Sequence, residues 1–134
     1  MKTSFVVGAV LAAVMLAPAI AADAPAGPSG VKRTELQRWD VPGSPYTNIV
    51  VAVEVEPNAG LPLHTHPGAE IDYITAGTIL VSIPGQPDKT YKAGDSFKVE
   101  PGIPHSGKNV GTVPYKALSI FVVEKDKPLV IPVK

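Results

Sequence analysis

The sequence predicts an all-β fold, a sandwich or barrel built as a single domain, and three observations carry that prediction. The 15 prolines and 12 glycines cut the chain into short segments. Those segments are apolar runs rich in Val, Ile and Thr, and beyond the first 21 residues no run repeats its apolar positions at helical spacing. A length of 134 residues supports one domain with a modest core.

Residues 1–21, "MKTSFVVGAVLAAVMLAPAIA", begin with Lys2, continue through an apolar block and end on small residues, the layout of a secretory signal peptide cleaved after Ala21. The apolar block from Phe5 to Leu16 is shorter than the roughly 20 residues a membrane-spanning helix needs, so no stable membrane span is expected after cleavage. Export to the periplasm or the medium is the expectation. Residues 22–30, "ADAPAGPSG", have almost nothing to bury and read as a flexible tether, which leaves 31–134 as the folded domain.

Strands are expected at 36–41, 48–56, 70–76, 78–83, 90–92, 96–100, 105–110, 115–124 and 129–133. In "NIVVAVEVE", Val51, Val53 and Val55 fall on one face and Asn48, Val50, Ala52, Glu54 and Glu56 on the other, the alternation of a half-buried strand. Gly77, "PGQPD" at 84–88, "AGD" at 93–95 and "EPGIPH" at 100–105 supply the turns.

Loss of Lys2 with the leader turns 12 basic and 12 acidic residues into 11 and 12, a balance with no electrostatic footprint for nucleic acid. Without cysteine there is neither a disulfide nor a thiolate metal site.

The chemistry concentrates in "LPLHTHPGAEIDY". In an extended segment His64 and His66 point to the same side and can face one point. Glu70 comes after a Pro-Gly turn able to bring the next strand back alongside them, and His105 offers a third nitrogen. Imidazole and carboxylate together suit a divalent transition metal.

These residues carry a resemblance. Gly60, His64, His66, Glu70 and Gly77 are similar to the first motif of the cupin superfamily, with Gly60 two residues closer to the first histidine than usual. Gly94, Asp95, Gly102, His105 and Asn109 resemble its second motif, with Pro101 displaced by one residue and Glu100 in the usual proline position. The resemblance implies a jelly-roll barrel, also called a double-stranded β-helix. It further implies a metal held by His64, His66, Glu70 and His105, and a homodimer. Fe(II), Mn(II), Ni(II) and Zn(II) all suit such ligands. The implied function is a metal-dependent enzyme acting on a small organic molecule, with dioxygenase or oxidase chemistry favoured over lyase or isomerase chemistry; the alternative is a non-catalytic periplasmic module that binds a metal or small ligand.

Asp72 is the residue the motif does not explain. A regular strand sends it into the barrel beside Glu70, as an acid or base or as an acceptor orienting a ligand; a bulge after the Pro-Gly turn would send it into solvent, and bulges are common at such edges. Trp39 and Tyr46 read as packing or dimer-contact residues. Asn109 reads as closing a turn, and Ser106 has no base and acid to make it a nucleophile.

Overall fold

The computed structural model describes residues 28–134. The leader and all but the last three residues of the tether lie outside the described residues. The domain consists of ten antiparallel strands: β1 (Val31–Asp40), β2 (Tyr46–Val55), β3 (Gly60–Thr65), β4 (Gly68–Ala76), β5 (Thr78–Ser82), β6 (Lys89–Lys92), β7 (Ser96–Val99), β8 (His105–Asn109), β9 (Tyr115–Glu124) and β10 (Ile131–Pro132). They form two five-stranded sheets, ordered β1-β2-β9-β4-β7 and β10-β3-β8-β5-β6, so the all-β, double-sheet jelly roll expected from the sequence is the observed architecture.

Period-two patterning builds the core. In β2, Thr47, Ile49, Val51, Val53 and Val55 are buried; in β9, Tyr115, Ala117, Ser119, Phe121 and Val123 are. The ladder between these strands places Ile49 opposite Phe121 and Val53 opposite Ala117, which lines the inner face of the first sheet. Ile74, Ile79 and Val81 close the core from β4 and the second sheet. Each such side chain contributes about 1.5–3 kcal/mol on full burial.

Three elements differ from the expectation. The first strand starts at Val31 and not at 36, because five cross-strand pairs with β2 hold the polar stretch "VKRTE", ahead of a register shift between Glu35 and Gln37. The alternation predicts no strand at Gly60–Thr65, where Pro62 breaks it; the strand forms by pairing with β8 across its own register shift between Leu61 and His64. The final strand is only Ile131–Pro132.

Gly68, the first residue of β4, marks the crossing from one sheet to the other. A Cβ there would stand 2.1 Å from the Val122 carbonyl oxygen and 2.6 Å from the Val123 Cα, so no other residue fits without moving backbone. At the opposite end Asn109, fully buried, donates to the carbonyls of Val55 and Val113 and accepts from the Gly111 N–H, linking the end of β8 to the end of β2 in the other sheet. Trp39 and Tyr46 stand half-exposed outside this core and do not pack into it.

Candidate metal centre

The cavity between the sheets draws side chains from both. In the second sheet His64 on β3 lies directly opposite His105 on β8, with ring centroids 4.3 Å apart. His66 sits at the crossing from β3 to β4, its ring 4.8 Å from that of His64 and 4.8 Å from that of Phe121. In the first sheet Glu70 and Asp72 project inward from β4, opposite Phe121 and Ser119 of β9. All five polar groups at this point, His64, His66, Glu70, Asp72 and His105, are buried.

Each imidazole is oriented by a backbone carbonyl. His64 Nδ1 lies 2.6 Å from the Pro62 oxygen, His66 Nδ1 2.5 Å from the Leu129 oxygen, and His105 Nδ1 3.0 Å from the Ile103 oxygen. A carbonyl only accepts, so each Nδ1 carries a proton and each ring turns Nε2 toward the cluster. The nitrogen donors of the three rings lie within 4.8 Å of one another, the one such cluster among the described residues. Nitrogens bound to one ion at about 2.1 Å stand about 3.0–3.4 Å apart in cis or tetrahedral positions, so closing the cluster on an ion takes side-chain movements of about an ångström.

Glu70 approaches two members of the cluster. Its Oε2 is 3.0 Å from His105 Nε2 and 3.2 Å from His66 Nε2, yet Oε2 and His66 Nε2 both lack a well-directed hydrogen bond despite being buried. Lone pairs and a carboxylate aimed at one another in a buried space repel, and a cation is what resolves the arrangement. The residues therefore fit a divalent metal: three imidazole nitrogens and a carboxylate oxygen, with carbonyls fixing the tautomers.

The titration behaviour follows from the same geometry. Burial pushes the His64 pKa down to about 4, helped by the neighbouring histidines and opposed by the Pro62 carbonyl. Burial works to raise Glu70, but the facing imidazoles of His105 and His66 outweigh it and bring it to about 2. His105 is raised: burial opposes protonation, but contact with Glu70 and the Ile103 carbonyl overcome it, so a proton on His105 can stand in for the cation.

Asp72 points into the barrel. No register shift intervenes between Glu70 and Ile74, the shift in β4 falling later, between Ile74 and Ala76, while Ile71 and Tyr73 face solvent. The bulge that would release Asp72 is absent from its stretch of strand. Ser119 Oγ, its cross-strand neighbour, donates to Asp72 Oδ1. Burial raises the Asp72 pKa well above the usual carboxylate value, the Glu70 charge adds to the rise, and the Ser119 hydrogen bond opposes it.

Three lining residues escape the sequence reasoning. Ser119 has a signal, being the one polar residue on the inward face of β9. Tyr115, whose phenol pKa is raised by burial and by the Asp72 and Glu70 charges, looks in sequence like any core aromatic. Arg33 has none, because β1 is polar on both faces. It lines the cavity's rim from β1, opposite Val53, and although the residue keeps an exposed side, partial desolvation lowers its pKa against the pull of Glu70.

A buried histidine cluster with a flanking carboxylate, held between the two sheets of an antiparallel jelly roll, defines a β-barrel with a candidate metal site. The chain belongs to the cupin family: the family model described as Cupin domain matches residues 51–121. Among solved structures, the chain is similar to an uncharacterized conserved protein with a double-stranded β-helix domain from Klebsiella pneumoniae, at TM-score 0.64 and 18% identity, over 78% of this chain and 87% of that one. It is also similar to a DMSP lyase from Ruegeria pomeroyi, at TM-score 0.64 and 21% identity, over 77% of this chain and 51% of the lyase. An oxalate oxidase aligns at TM-score 0.62 and 28% identity, over 79% of this chain and 56% of the oxidase. No curated protein matches the chain.

Proposed function

We propose that this protein is a metal-dependent enzyme acting on a small organic molecule, with oxidase-like or dioxygenase-like chemistry favoured. The observation that carries the reading is the inward Asp72, an acid kept beside the metal site by a hydrogen bond from Ser119. A site meant only to hold an ion gains nothing from a second buried carboxyl, which is costly to bury.

In this reading His64, His66, His105 and Glu70 hold the ion, one of Fe(II), Mn(II), Ni(II) or Zn(II). A bound ion would polarise a substrate oxygen or, if redox-active, mediate electron transfer between substrate and dioxygen. Asp72, buried beside Glu70 with its Oδ1 accepting from Ser119, is placed to exchange a proton with a substrate oxygen through Oδ2. Ser119 fixes the other oxygen and with it the direction of that proton. Val51, Val53, Ile79, Val81 and Phe121 exclude water around these groups. The resemblance to an oxalate oxidase and a lyase supports a small-molecule substrate. The leader-like residues 1–21 support action outside the cytoplasm, and the exposed apolar row Ile71, Tyr73, Leu118, Ile120 and Val122 supports a homodimer.

A second reading, a module that binds a metal or small ligand without turnover, is favoured by the cavity's volume of about 40 Å³. The test loads purified protein with each metal separately and measures oxygen uptake with small phenols and organic acids, for wild type and Asp72→Asn. Turnover lost in the variant at unchanged metal content supports the enzyme. Stoichiometric metal without turnover on any compound supports the binding module.

A further inference from the structure

Arg33 is the only Lys or Arg among the described residues lining the cavity. Its cross-strand partner is Val53, whose side chain is buried in the core, so the register aims Arg33 at the inner face of the first sheet, toward Glu70 and the histidines. Among the described residues it makes no ion pair and no side-chain hydrogen bond. Arg38, on the same strand, shows the contrast: Glu35 grips its guanidinium at 2.9 and 2.7 Å. The Glu70 charge reaches Arg33, but no carboxylate closes on it.

Arg33 is an exposed residue, so its guanidinium stands at the rim of the cavity with no protein partner, a fork of N–H donors matched to a planar oxyanion. The apolar walls favour an anion with a carbon end over an inorganic oxyanion such as phosphate, and the small volume limits it to few heavy atoms.

We propose that Arg33 is the anion anchor of this cavity and that the ligand is a small carboxylate, its carboxylate on the guanidinium and its remaining oxygen or carbon facing the histidine cluster. The proposal rests on the metal-site reading above for the second end of the ligand, and the guanidinium contact does not require the ion.

The test is calorimetric titration of acetate, oxalate, lactate, lactamide and inorganic phosphate into the protein, metal-loaded and metal-free, for wild type, Arg33→Gln and Arg33→Lys. At least one carboxylate is expected to bind, and lactate more tightly than lactamide. Arg33→Gln is expected to weaken carboxylate binding by about 3- to 10-fold, the worth of a guanidinium–carboxylate pair whose guanidinium keeps contact with solvent. Arg33→Lys should recover part of that loss, and the metal content of both variants should match wild type. Unchanged carboxylate affinity in Arg33→Gln, equal binding of lactamide, tighter binding of phosphate, or no carboxylate binding to wild type would each overturn the proposal. Failure of the metal-site reading is separate: wild type would then take up no stoichiometric metal, while the metal-free titrations would still report on Arg33.

Discussion

Replacing Asp72 with Asn should make the metal-free protein more stable at neutral pH. Burial and the adjacent Glu70 charge raise the Asp72 pKa, so the folded state holds a proton that the unfolded chain releases near its ordinary value of 3.8. A group raised in this way contributes its full stability below 3.8 and loses it as pH climbs through the folded-state pKa. The Asn amide mimics the protonated acid: its oxygen still accepts from Ser119, and it has no charge to bury. The two proteins should therefore be nearly equal in stability at about pH 4 and diverge as pH rises, with Asp72→Asn ahead by about 1–3 kcal/mol at the plateau, the usual cost of an ill-satisfied buried polar group. That corresponds to a rise in Tm of several degrees, about 4–8 °C per kcal/mol for a domain of this size. Urea unfolding of chelator-treated protein at intervals from about pH 4 to 8 measures the difference, in which the slopes due to Glu70 and His64 largely cancel. A pH-independent difference, or a variant less stable at neutral pH, would refute the reasoning and mean that Asp72 is ionised and well paired in the fold.

His64→Ala and His105→Ala should each abolish stoichiometric metal uptake, with Glu70→Gln retaining weaker binding, read by elemental analysis after dialysis. Metal at about 100 times its Kd should stabilise wild type by about 2.7 kcal/mol in a thermal melt and leave His105→Ala unmoved. Because the His64 pKa falls to about 4 on folding, metal-free wild type should lose stability as pH drops from 6.5 toward 4, by up to about 3 kcal/mol; His64→Gln should flatten that part of the urea profile. Gly68→Ala should cost more than about 2 kcal/mol, since its Cβ meets backbone and not a movable side chain, and a urea midpoint close to wild type would show that the crossing can shift at little cost.

The parts of the molecule that are legible in the sequence are those where one face is apolar. Val51, Val53 and Val55 announce the inward face of β2, and the two motifs bring His64, His66, Glu70 and His105 to one place. Where neither face is apolar the pattern falls silent: "VKRTE" becomes strand because it pairs with β2, and "GLPLHT" because it pairs with β8. Both are long-range pairings that no local preference encodes. The direction of Asp72 is undecided in the sequence for a related reason. One extra residue anywhere between Pro67 and Asp72 would turn it outward, and the sequence contains a bulge in this strand without saying that it falls after Ile74. Arg33 inherits its place in the cavity from the register of an edge strand, so its role becomes visible only once that register is known.

The carbonyl that holds His66 belongs to Leu129, 63 positions further along the chain. This contact, with Ile131 pairing Thr65 and the Val133 N–H donating to the Leu63 carbonyl, ties residues 129–133 to β3, which carries His64 and leads into His66. A growing chain completed only through β9 would already possess every donor atom of the centre but would leave the His66 ring free to rotate and to carry its proton on either nitrogen. The order of the centre thus depends on a strap far along the chain, and an ion bound without that strap in place would meet a looser set of donors than the finished domain presents.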